Sequence, residues 1–138
     1  MRILTFIFGD VIYRLRSRLV AAFLRMKGVK VGRNFFLLGE LKLKIRGKYS
    51  NVEISDHVQF LGDVDPRNRE DGRIIIGDGV KIDHGVRIIA ANRASVRIGR
   101  KSKVMFCAMI NAGEDISIGE KSGIAAFSII SSSSHGTD

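Results

Sequence analysis

The chain has 138 residues, with 23 Lys+Arg against 14 Asp+Glu for a net charge of +9, 45% hydrophobic residues and one cysteine. That length holds one domain and excludes two independent catalytic domains. A lone cysteine, Cys107, excludes an intrachain disulfide framework and fits a reducing compartment. Set within Val104-Met-Phe-Cys-Ala-Met109, it reads as a buried small apolar residue rather than a reactive thiol.

The charge excess is confined to one end. Residues 1–53 hold 12 Lys+Arg and 3 Asp+Glu, net +9, whereas residues 54–138 hold 11 of each. Beyond residue 53 no basic stripe is interleaved with aromatic platforms, so no nucleic-acid partner is expected.

Residues 1–28 form the first unit. Ile12, Leu15, Leu19, Phe23 and Met26 share one side of a helical wheel with Arg14, Arg18 and Arg25 opposite, which predicts a basic amphipathic helix ending at Gly28. The longest uncharged runs, 3–9 and 19–24, fall far short of the ~20 residues of a transmembrane span. Asp10 and the arginines break any signal-peptide core. Two roles stay open: a cap over the end of the following fold, or an anchor on an anionic bilayer surface. Both hold if Phe6, Ile7 and Phe8 face lipid while the later face covers the fold.

From residue 29 the pattern changes. Aliphatic-x-aliphatic followed by Gly or Ser recurs at Val29-Lys-Val-Gly32, Val52-Glu-Ile-Ser55, Ile74-Ile-Ile-Gly77, Val96-Arg-Ile-Gly99 and Ile116-Ser-Ile-Gly119, with starts 23, 22, 22 and 20 residues apart. Within it runs a six-residue unit, clearest in Ile76-Gly-Asp-Gly-Val-Lys-Ile-Asp-His-Gly-Val-Arg87. A period of six scatters Ile76, Val80, Ile82, Val86 and Ile88 around a helix, but it suits a short strand and a turn, repeated. Three such sides plus a few residues spilled at one corner, such as 94–97, make one coil of a parallel β-helix. Five coils stacked ~4.8 Å apart give a prism roughly 24 Å tall, with Gly and Asn at the corners.

Residues 29–53 read as a degenerate first coil, in which Leu37, Leu41, Leu43 and Ile45 alternate with Lys42, Lys44, Arg46 and Lys48 to leave a basic outer face. Residues 62–73 hold the only proline and break the pattern, which predicts a corner loop pushed out of the prism. Residues 74–130 are the regular body.

The units Ile76-Gly-Asp-Gly-Val-Lys, Ile82-Asp-His-Gly-Val-Arg, Ile98-Gly-Arg-Lys-Ser-Lys and Ile118-Gly-Glu-Lys-Ser-Gly resemble the hexapeptide repeats of left-handed parallel β-helix acyltransferases. The resemblance spans residues 29–135. It implies an all-β, left-handed parallel β-helix of about five coils behind the N-terminal α-helix. It also implies a homotrimer using acetyl-CoA or another acyl-CoA as co-substrate, with sites between subunits. Left-handedness comes from the resemblance alone. The implied activity is acyl-CoA-dependent O-acetylation of a sugar hydroxyl, on a nucleotide- or lipid-linked acceptor, in surface-polysaccharide or lipopolysaccharide assembly. The expected location is cytoplasmic, peripheral to the inner face of the membrane. N-acetylation of an amino sugar, or a non-catalytic membrane-associated β-helix scaffold, are the alternatives. Relatives continue for several coils past their catalytic histidine, so a domain 29–138 shortened at its C-terminal end is expected.

Acyl transfer from a thioester needs a base for the acceptor proton, and histidine is the usual one. His57 and His84 lie at turn positions and read as surface residues. Ser131-Ser-Ser-Ser-His-Gly136 is similar to the family's segment bearing the catalytic histidine, which makes His135 the base and Ser133 and Ser134 acceptor contacts; a polar frayed terminus is the competing reading. Ile110 and Ile130 each follow their coil's leading Ile by 12 residues, so Asn111 should stack on Ser131 and Asp115 on His135. Asp115 would then orient the imidazole, and Asn111 would either touch the acceptor or form a corner ladder. Arg93, Arg97, Arg100, Lys101, Lys103 and Lys121 are unranked candidates for the phosphates of CoA. The γ-class carbonic anhydrases share the fold but bind zinc through a close histidine pair and a third from a neighbouring subunit. The histidines here lie 27 and 51 residues apart, so no metal is expected.

Overall fold

A computed structural model of the chain describes the backbone of residues 2–132 and the side chains of residues 11–132. Among the described residues, helix α1 (Arg2–Lys27) is followed by fifteen strands in five coils. Coil one holds β1 (Lys30–Val31), β2 (Phe36–Leu37) and β3 (Lys44–Ile45); coil two holds β4 (Val52–Ile54), β5 (Gln59–Phe60) and β6 (Val64–Asn68). Coil three holds β7 (Arg73–Ile76), β8 (Lys81–Ile82) and β9 (Val86–Ala90); coil four holds β10 (Ser95–Ile98), β11 (Lys103–Val104) and β12 (Met109–Ala112). Coil five holds β13 (Ile116–Ile118), β14 (Gly123–Ile124) and β15 (Ile129–Ser132).

Every third strand joins the same sheet, giving three five-stranded parallel sheets: β1-β4-β7-β10-β13, β2-β5-β8-β11-β14 and β3-β6-β9-β12-β15. They are called faces one, two and three below. The molecule is thus a parallel β-solenoid of five coils behind one helix. Val52, Ile74, Val96 and Ile116 stand in one column, so the repeat seen in the sequence is the register of the sheet. Inward positions on the three faces, such as Ile76, Ile82 and Ile88, are fully buried, and Phe35 meets Phe60 edge to face at 5.3 Å. Burying side chains of this size at ~1.5–3 kcal/mol each is what holds strands of only two to five residues in place.

Two expectations about the outline are corrected. Residues 64–68 are not an expelled loop: they form β6, in register with β9, with Pro66 opposite Ile88. Val64 N–H bonds Glu40 O in coil one, and alternation points the N–H that Pro66 lacks to the same side, between the Leu41 bridge and the two-residue β3, where the ladder is already interrupted. Residues 95–98 are likewise not spill but strand β10; the surplus over 18 residues sits in the five-residue β9 and the turn after it, where Asn92 and Arg93 take positive φ.

Corners run on left-handed backbone. Asn34, His57, Gly79, Lys101 and Lys121 occupy one corner column with φ between 53° and 67°, and Gly85, Cys107 and Phe127 occupy another. Cys107 is therefore exposed at a turn, not buried as its apolar neighbours implied; Val104, Ala108 and Ile110 are the inward residues of that segment.

Helix α1 ends as Gly28 predicted. Gly28 takes φ +107°, its N–H bonds Arg25 O at 3.0 Å, and Val29 N–H bonds Leu24 O at 3.0 Å, the double closure of a Schellman turn. The helix caps coil one, but with a different face from the one the wheel selected. Ser17, Ala21 and Leu24 are buried against β1 and β2, while Ile12, Leu15, Leu19, Phe23 and Met26 are exposed. Polar pairing at the open edge of coil one fixes this rotation. Leu37 N–H donates to Ser17 Oγ at 2.8 Å, Arg16 donates to Gly39 O at 2.7 Å, and Arg25 donates to Val31 O and Gly32 O at 3.0 and 2.8 Å. Small side chains at 17 and 21 let the helix approach the edge whose backbone groups need partners. The side chains of Phe6, Ile7 and Phe8 lie outside the described residues.

Candidate functional site

Asn111 projects from the outer side of β12, and its register partner in β15 is Ser131, as the repeat arithmetic predicted. The same outward column passes through Lys44, Arg67 and Ile89. The adjacent outward column reads Asp65, Arg87, Met109 and Ile129. Face three therefore changes character along the stack, from charged in coils one and two, through Arg87 beside Ile89 in coil three, to neutral and apolar in coils four and five.

At the charged end, Asp65 accepts from Arg67 Nε and a terminal guanidinium nitrogen at 3.0 and 2.8 Å, with Arg87 Nε 3.5 Å away. The Arg67 hydrogen bonds, and then the charges of Arg67, Arg87 and Lys44, hold the Asp65 carboxyl below its ordinary range, and Arg67 is raised in return. At the other end, Ile129 is 71% and Phe127 69% exposed, and Phe127 stacks edge to face on Phe106 at 5.3 Å. Met105 and Phe106 are exposed on the same corner.

Asp115 sits past the end of β12, at the corner joining face three to face one. Its Oδ1 accepts from Ser95 N–H at 2.8 Å, a bond toward the preceding coil. The same device recurs along the prism. Asp56 accepts from Arg33 N–H, Asp63 from Glu40 N–H, Asn68 from Arg46 N–H, Asp78 from Asp56 N–H, and His84 Nδ1 from Asp63 N–H, at 2.8–3.0 Å. Each acceptor closes a corner N–H of the coil before it, where the ladder is broken by the turn. The backbone bond from Arg33, aided by that residue's charge, lowers the Asp56 carboxyl.

His57 and His84 are exposed, as expected, but both belong to this corner system. His84 Nδ1 accepts from Asp63 N–H, and a Cβ at Gly62 would strike His84 Cβ, which is why glycine stands beneath it. His57 Nδ1 lies 3.1 Å from Asn34 Nδ2. His135, Ser133 and Ser134 lie outside the described residues, so the structure places Asn111, Ser131 and Asp115 of the expected site.

The candidate CoA-binding residues are spread over faces one and two and two corners. Arg97 is on face one, Lys103 on face two beside Lys81, Arg93 at the corner before β10, and Lys101 and Lys121 in the corner column between faces one and two. Arg100 Nε is 3.5 Å from Glu120. Among the described residues no group of three or more His, Cys, Asp or Glu converges as a metal site.

Sequence reasoning missed a groove of about 620 Å³ at the opposite end of the prism, lined by Arg14, Arg18, Arg25, Asn34, His57 and Gln59 among others. Its signal was present in the arginine spacing, but only the rotation of α1 brings those residues beside coils one and two. No family model, curated protein or solved structure matches this chain.

Proposed function

We propose that the chain is an acyl-CoA-dependent acyltransferase of the left-handed β-helix kind, O-acetylating a sugar hydroxyl in surface-polysaccharide or lipopolysaccharide assembly on the cytoplasmic side of the membrane. The observation that supports this most is the strict hexapeptide register, which stacks Asn111 on Ser131 and leads the chain directly into the Ser-rich segment ending at His135. The exposed Phe106, Phe127 and Ile129 beside that column suit an interface with a second copy, and hence a trimer with its site between subunits.

In this reading the acceptor hydroxyl oxygen attacks the thioester carbonyl carbon while His135 takes its proton. The tetrahedral oxyanion collapses, the C–S bond breaks, and His135 returns the proton to the departing CoA sulfur. Asn111, Ser133 and Ser134 contact the acceptor. Asp115 serves as the orienting carboxylate.

His135→Ala should lower CoA release from acetyl-CoA by about 10²–10⁴-fold with a competent sugar acceptor; turnover equal to the parent protein removes the catalytic claim. The bond from Ser95 to Asp115 favours a second reading, because five other acceptors make the same bond for architecture alone. In that reading the prism is a non-catalytic scaffold, and Asp115→Ala, which removes the acceptor for Ser95 N–H, lowers stability while no acceptor supports turnover.

A further inference from the structure

The apolar stripe of α1 was expected to cover the β-helix, and it does not. Ser17, Ala21 and Leu24 make that contact, and the stripe of Ile12, Leu15, Leu19, Phe23 and Met26 lies on the side of the helix turned away from the coils. Leu19 is 73% and Met26 85% exposed. At 1.5 Å per residue the stripe runs for about 20 Å.

Charge borders it on both flanks. With ~100° between successive residues, Arg18 and Lys27 fall on opposite sides of the stripe, while Arg14 and Arg25 lie nearer the coil-facing side and Arg16 and Arg25 donate to coil-one carbonyls. Residues 11–27 contain no Asp or Glu, and the adjoining coil one adds Lys42, Lys44, Arg46 and Lys48, while Lys30 and Arg33 pair with Glu53 and Asp56 at 3.0 and 3.5 Å. Lys27 Nζ lies 5.4 Å from the Phe23 ring centroid, which keeps that ring at the basic border.

We propose that this outward face of α1 docks the protein on an anionic bilayer surface, the apolar stripe entering the acyl boundary and the flanking cations meeting lipid phosphates. Three observations select this occupant. No described helix is long and apolar enough to cross a membrane, and a one-sided apolar stripe of this length suits a helix lying along a bilayer surface. A second copy docked face to face would bring together two helix faces bordered by Arg18 and Lys27 and carrying no Asp or Glu over residues 11–27. A nucleic acid would satisfy the flanks but leave the outermost apolar strip in water. Nothing in the proposal depends on the acyltransferase reading: a scaffold with this helix docks equally well.

The test is flotation of the full chain with phosphatidylcholine vesicles, alone or mixed with phosphatidylglycerol. Binding is expected on the mixed vesicles, with little on phosphatidylcholine alone, and raising the salt weakens it. Leu19→Glu with Phe23→Glu alters only exposed positions, so circular dichroism should be unchanged while bound protein falls by about tenfold or more. Should that variant fail to fold, Arg18→Glu with Lys27→Glu leaves the stripe intact and should still reduce binding to the mixed vesicles. Absence of parental binding, binding retained by the folded variants, or a stripe that instead drives self-association without vesicle binding would each overturn the proposal.

Discussion

The two ends of the prism bury the same kind of interior by different means. At coil one a helix covers the core and also hydrogen-bonds the exposed backbone edge, so Val29, Phe35 and Leu37 are buried despite a degenerate repeat. At coil five the repeat is regular, yet Ile116, Ile118 and Ile130 are only half-buried and Ile129 is exposed. Regularity of sequence therefore does not set burial; the neighbour along the stack does.

The largest expected effect tests that contrast within one column. Ile98 and Ile118 are register partners on face one. Ile98→Ala should cost about 3 kcal/mol, and Ile118→Ala about 1 kcal/mol, measured by denaturant unfolding. Equal losses would mean that coil five is covered as well as coil four. Next comes the edge: Ser17→Ala leaves Leu37 N–H without its acceptor and should cost about 2 kcal/mol. A neutral result would show that the cap acts through apolar contact alone.

The smallest effect concerns the charged stretch of face three. Asp65→Asn should cost about 1 kcal/mol. Because the folded carboxyl is held below its unfolded value of 3.8, its contribution is present above pH ~4 and is lost as pH falls through the depressed folded value. The difference in stability between parent and variant should therefore shrink on acidification, and a constant difference would sever Asp65 from the Arg67 pairing.

The solenoid was legible because its signal is long-range and redundant. The columns Val52-Ile74-Val96-Ile116 and Asn111-Ser131 follow from counting, since a parallel register leaves no freedom once the period is known. What failed was local. Pro66 looked like a breaker because nothing in the sequence says that β3 pairs over two residues only. Cys107 looked buried because the phase of its unit places a turn, not a side, on Met105-Phe106-Cys107. The rotation of α1 was hidden for a deeper reason. A helical wheel weighs apolar area, whereas Ser17, Arg16 and Arg25 were chosen by backbone groups on another segment, which no wheel contains. Of the expected site, the pairing of Asn111 with Ser131 followed from the register, but the bond from Ser95 to Asp115 could not, because it depends on which way a corner side chain turns.

Stacking in register also has a bearing on how such a chain can change over time. Each turn of the solenoid touches only the one before and the one after, so inserting or removing a whole turn of 20 to 23 residues would preserve every remaining column. The capping helix and the neutral far corner could then be spaced further apart or closer together like floors of a building, each end keeping its own chemistry while the distance between them varies in steps of ~4.8 Å.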